Sequence, residues 1–161
     1  MKKNILLIFI LLLISCKSDD NHNESKNSIL NDNLQKLQSP NKNLDLSFQL
    51  DLNGRPIYSL NFENKAVVLE SGLGFIIKDN VEWMKIDTLD MMNNFKILDV
   101  KFDTKDEVWR PVWGEESEIR NNYNELLVEL EQVNTGRRLN IRFRLFDTGL
   151  GFRYEVPEQK D

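Results

Sequence analysis

The residues with chemistry to offer crowd into one stretch. Trp109, Trp113, Glu115, Glu116, Glu118, Arg120 and Tyr123 all fall between positions 109 and 123. Glu115, Glu116 and Glu118 follow Trp113-Gly114, where carboxylates would stand beside an aromatic platform. Two carboxylates can break a glycosidic bond, with retention at ~5–5.5 Å separation or inversion at ~6.5–9.5 Å. The plainer reading of this stretch is a polar surface or interface loop, so no catalytic role is assigned to its glutamates. Sugars bind on aromatic faces with a few convergent polar groups. On that ground Trp109, Trp113, Glu115, Glu118, Arg120 and Tyr123 form the candidate carbohydrate-contacting loop.

Much other chemistry is excluded. The 161 residues hold one His and one Cys, so neither an internal disulfide nor a zinc site of the Cys/His type can form. His22 lies in a polar stretch and reads as a solvated linker residue, which removes every His-dependent catalytic constellation. A net charge of −5 argues against a nucleic-acid partner, which would call for a basic stripe. No phosphate-binding glycine loop is present, because Gly149-Leu150-Gly151 follows no βα pattern.

The first residues read as an address. Met1-Lys2-Lys3 is basic, and Ile5 to Ile14 is an unbroken apolar run. Such a run is too short to span a bilayer, which takes ~20 residues, but suits a secretory signal. Leu13-Ile14-Ser15-Cys16 resembles a bacterial lipobox, which implies lipidation of Cys16 and a membrane contact through the lipid. Lys17-Ser18-Asp19-Asp20 resembles the export tag of surface lipoproteins. The expectation is an exported lipoprotein at the outer membrane of a Gram-negative bacterium. Residues 1–15 would be the signal peptide, and 16–33 the lipidated cysteine with a flexible Asn/Ser/Lys/Asp tether.

The elements that must position the candidate loop read as strands. Leu44, Leu46, Phe48 and Leu50 alternate with polar residues, and after Asn53-Gly54 so do Tyr58, Leu60 and Phe62. Glu63-Asn64-Lys65 reads as a turn. Ala66 to Leu69 and Leu73 to Ile77 are short apolar runs, with Gly72 and Gly74 as bulge or bend positions. Asn80 to Asn94 is irregular, with Trp83, Met84, Met91 and Met92 placed to cover one end of a core. Phe95, Ile97, Val100 and Phe102 predict a strand with a slip near Leu98. Leu126-Val128-Leu130 and Leu139-Ile141-Phe143-Leu145 predict two more, joined at Asn134-Thr135-Gly136. Asp147 to Gly151 turns into Phe152 to Val156. The fold class predicted is all-β, an antiparallel β-sandwich.

Two long motifs carry a family resemblance. Trp109-Arg110-Pro111-Val112-Trp113-Gly114-Glu115-Glu116-Ser117-Glu118-Ile119-Arg120-Asn121-Asn122-Tyr123-Asn124-Glu125-Leu126 resembles the N-terminal domain of glycoside hydrolase family 97, bacterial α-glucosidases and α-galactosidases. Ile141-Arg142-Phe143-Arg144-Leu145-Phe146-Asp147-Thr148-Gly149-Leu150-Gly151-Phe152-Arg153-Tyr154-Glu155 resembles the same domain farther on, and Leu37-Gln38-Ser39-Pro40-Asn41 resembles its opening. The resemblance implies a super-sandwich N-terminal domain, here incomplete over 34–161, ahead of a catalytic (β/α)₈ barrel that this chain lacks. It places the catalytic carboxylates in that barrel, and the calcium ion of the intact enzyme on glutamates mostly from it. No catalytic or metal residue is therefore assigned in this chain. The partner implied is an α-linked oligosaccharide held by the intact enzyme, with the 109–123 loop supporting its active site. The alternative is a stand-alone, lipid-anchored glycan-binding module.

Overall fold

The computed structural model describes residues 33–77 and 89–159. The expected signal peptide, Cys16, His22, the tether, Trp83 and Met84 lie outside the described residues. The described residues form ten strands and no helix: β1 (Gln35–Gln38), β2 (Leu44–Leu50), β3 (Pro56–Phe62), β4 (Lys65–Gly72), β5 (Ile76–Ile77), β6 (Leu89–Asp90), β7 (Phe95–Trp109), β8 (Ile119–Gln132), β9 (Arg138–Phe146) and β10 (Gly149–Glu155). Two four-stranded antiparallel sheets, β1-β2-β3-β4 and β10-β9-β8-β7, face each other, and β5 pairs with β6 alone.

Period-2 alternation puts one apolar row of each sheet inside. Leu44, Leu46, Phe48 and Leu50 of β2 meet Leu126, Val128 and Leu130 of β8 and Leu139, Ile141, Phe143 and Leu145 of β9 in one buried cluster. Phe48 and Phe143 bridge the layers at 5.6 Å between ring centres, and Tyr58 of β3 reaches Phe152 of β10 at 5.9 Å. At the other side Asn124 of β8 donates to the Gln38 carbonyl of β1 at 2.8 Å. These pairings stagger the two sheets, so that β7 overhangs beyond β1 and β4 beyond β10. The overhang explains the exposure of Phe102, which opposes buried Leu126 and which a facing strand would otherwise cover.

The predicted turns are present with their backbone reasons. Glu63 and Asn64 both take positive φ, the mirror-image turn that suits the twist of a two-residue hairpin. Asp51 braces the 51–55 loop by accepting from the Asn53 and Arg55 amides at 2.8 and 2.9 Å. The slip near Leu98 is a bulge: Ile97 opposes Leu130 and Asp99 opposes Glu129, leaving Leu98 extra.

One strand went unread and two local readings need correction. The sequence shows no alternation at Gln35–Gln38, yet β1 forms there because its backbone pairs with β2 from Gln35↔Phe48 to Gln38↔Asp45. Leu73 to Ile77 is a strand only at Ile76–Ile77, since Leu73 is already spent on the core and Gly74 at φ +135 turns the chain. Gly72 is no bend: it pairs with Ile57 inside the sheet, and the Arg55 side chain occupies the space beside its Cα.

Candidate functional site

β7 and β8 are far longer than their neighbours. β9 pairs with β8 only from Tyr123 to Glu131, so β8 residues 119–122 and the facing end of β7 run past the sandwich as a two-stranded arm. A ribbon paired on one side only has little core to hold it, and here cross-strand polar pairs supply order. Arg120 clamps Asp106 with both forks, Nε to Oδ1 at 2.8 Å and Nη2 to Oδ2 at 2.7 Å. Asn121 donates to Glu107 at 3.0 Å, and Lys105 approaches the same carboxylate at 3.1 Å. The hydrogen bonds from Arg120 hold the Asp106 carboxyl below its ordinary value, and those from Asn121 and Lys105 do the same for Glu107.

At the tip, Arg110 closes the loop by donating from Nε and Nη2 to one oxygen of Glu118 at 2.9 and 2.6 Å. Trp109 ends β7 opposite Ile119 and is half exposed, while Trp113 stands 90% exposed at the loop's end. Glu115 and Glu116 are exposed beside it.

The structure therefore divides the six-residue candidate loop. Trp109, Trp113, Glu115 and Glu118 share the tip. Arg120 and Tyr123 are not on the loop: both lie in β8, and Arg120 is committed to Asp106. Tyr123 is 4% exposed at the root of the arm, roughly 13 Å along the strand from Ile119 at ~3.3 Å per residue. Its ring packs on Phe146 at 5.2 Å, and the Arg144 guanidinium lies over it at 4.7 Å.

Arg142, Arg144 and Arg153 form an ion-pair network across the outer face of the second sheet. Glu125 is buried between Arg142 and Arg144, with Arg144 Nε 2.8 Å away. Arg142 Nε also donates to Glu155 at 2.6 Å, and Arg153 Nε to the same oxygen at 2.7 Å. The register makes this legible only afterwards: Glu125 opposes Arg144, and Arg153 opposes Arg142.

The network sets an acid limit. Hydrogen bonds from Arg142 first, and from Arg153, hold the Glu155 carboxyl below its ordinary 4.5, against the opposing effect of burial. A depressed folded-state value means the stabilisation is complete above 4.5 and disappears as pH falls through the lower folded value. The thermal midpoint is expected to fall between about pH 5 and pH 3, and Glu155→Gln to flatten the curve in that window. Calorimetric scans at half-unit pH steps check this; a variant curve parallel to the wild type would overturn it.

Calcium is the ion implied for the intact enzyme. Among the described residues no three His, Cys, Asp or Glu side chains converge into a cluster able to hold a metal ion. The donor set among the described residues does not fit calcium.

The glycosyl-hydrolase 97 N-terminal family matches residues 37–161. Among solved structures, a glycoside hydrolase family 97 enzyme from Pseudoalteromonas sp. strain K8 is similar to this chain, in a complex with acarbose and in a variant complexed with panose. In both, 34% of residues are identical, the TM-score is 0.66, and the match covers 78% of this chain and 18% of that one. A β-arabinopyranosidase is similar at 26% identity and a TM-score of 0.65, with 78% of this chain and 18% of that one covered. The chain thus spans about a fifth of the length of these enzymes. The match spans more than half of the sequence: this chain belongs to the glycosyl-hydrolase 97 N-terminal family.

Proposed function

We propose that this chain is the supporting sandwich of a glycan-degrading hydrolase that cleaves terminal α-glycosidic bonds, and that it is inert by itself. The arm is the observation that carries this reading. A ribbon ordered by ion pairs, ending in two exposed tryptophans, is built to meet something beyond the sandwich. On this reading the tip, with Trp109, Trp113, Glu115 and Glu118, lines the approach to an active site made elsewhere. The relatives that were solved with acarbose and panose support a saccharide as the group approached. Calcium would then be held by residues outside those described. Lipidation at Cys16 would place the assembly at the outer membrane, which fits a task on external glycans.

The exposure of Trp113 favours one second reading, a stand-alone glycan-binding module anchored by lipid. The two readings separate in one experiment on the full chain. The supporting-domain reading expects no 4-nitrophenol from 4-nitrophenyl α-glucoside, with or without calcium, and no calorimetric heat with millimolar panose. Heat that vanishes in Trp113→Ala would replace it with the binding module. Calcium-dependent release of 4-nitrophenol would overturn both.

A further inference from the structure

The outer-face ion network is not electrically closed. Three guanidinium groups, of Arg142, Arg144 and Arg153, share two carboxylates, of Glu125 and Glu155, which leaves one positive charge over. The excess is placed, not diffuse. Arg144 spends only Nε on Glu125, so both terminal nitrogens remain free, and its plane is already set by stacking on Tyr123. Arg153 spends Nε and Nη2 on Glu155 and keeps Nη1. Arg142 is locked between both glutamates.

The sheet opens beside these donors. Gly151 opposes Arg144 in the register, and a side chain there would meet nothing within 4 Å. The missing side chain leaves a groove of about 190 Å³ lined by the three arginines, Gly151, Phe146 and Phe152. Phe146 gives it an apolar wall and its rim is cationic, while the Phe152 ring turns to the other face of the sheet against Tyr58 and Phe143. Pre-oriented guanidinium forks recognise planar anions, and carboxylates best match their two parallel donors. The groove is large enough for a single sugar ring, whose C–H faces suit phenylalanine edges.

We infer that this groove binds a carboxylate carried on a sugar ring, that is, a hexuronate. The carboxylate sits between the free nitrogens of Arg144 and Arg153 above Gly151, and the ring lies along Phe146. The site needs neither the arm tip nor a catalytic partner, so it stands or falls apart from the function proposed above.

Thermal midpoints of the full chain at low micromolar concentration test it, with sodium glucuronate, sodium acetate and glucose compared at matched ionic strength. Glucuronate is expected to raise the midpoint by about 2–4 °C at saturation, acetate by less, and glucose not at all. Gly151→Val suits a strand and fills the groove, so it should keep the fold and lose the shift. Arg153→Gln leaves Glu155 paired with Arg142 and should weaken the shift as well. No shift with glucuronate, an equal shift with glucose, or an undiminished shift in both variants would each overturn the assignment.

Discussion

Phe143→Ala is expected to remove about 3–5 kcal/mol of stability, a large share of what a folded domain holds. Phe143 is fully buried and stands where the two layers meet. Its ring centre lies 5.6 Å from Phe48, 6.3 Å from Tyr58 and 6.0 Å from Phe152, so one side chain ties β2, β3 and β10 to β9. Truncation loses the transfer free energy of the ring, leaves a cavity, and strips three aromatic contacts worth about 0.5–1.5 kcal/mol each. A folded domain holds only ~5–15 kcal/mol in total. Urea unfolding followed by near-ultraviolet circular dichroism measures the loss. A decrease below ~2 kcal/mol would mean that the staggered sheets slide to fill the space and that Phe143 is not their keystone. Phe143→Leu, which keeps an apolar body, should lose only ~1–1.5 kcal/mol.

The second large effect is expected at a glycine. Gly54→Ala should lose about 3 kcal/mol, and Gly136→Ala only about 1 kcal/mol, although both positions take nearly the same left-handed backbone. Their φ values are +67 and +72. What differs is the surroundings. A Cβ at Gly54 would lie 2.6 Å from the Phe95 carbonyl oxygen and 2.7 Å from the Phe95 nitrogen, whereas one at Gly136 would meet nothing within 4 Å. Gly54 and Asn53 also hold the start of β7: their carbonyls accept from the Phe95 and Asn94 amides at 2.9 Å each. Alanine at 54 therefore adds a backbone collision to the conformational strain and breaks the brace between the first hairpin and the arm-bearing sheet. Denaturation midpoints of the two variants are the check. Equal losses would show that conformation alone decides, and that the close approach carries no energy.

Particular elements show why some of the fold could be read directly. β2 and β9 each bury one face and leave the other partly wet, so their alternation is written in residue type. The Leu98 bulge was visible because an extra residue shifts that alternation by one. β1 was not visible, since four residues with a single buried Leu carry too little pattern. The outer half of the arm was hidden for another reason. Residues 103–109 and 119–122 are largely exposed, and a ribbon without a buried face imprints no period.

For the candidate site the division is similar. The residue types of 109–123 pointed to an aromatic and acidic tip, and Trp109, Trp113, Glu115 and Glu118 do share it. The strand separation that removes Tyr123 to the root of the arm, and the register that gives Arg120 to Asp106, could not be read from composition.

The chain by itself determined which residues are apolar, where they alternate and where the backbone can reverse, and those local choices dictate a sandwich of antiparallel strands. Which strand of one sheet lies over which strand of the other was decided only by the tertiary structure. That stagger follows from how Phe48, Tyr58, Phe143 and Phe152 interlock across the layers. The closing of Glu125, Glu155 and three arginines into one network likewise depends on register between residues as many as thirty positions apart, from Glu125 to Glu155. Packing and charge pairing act through space between distant positions, and neither leaves a periodic trace along the chain.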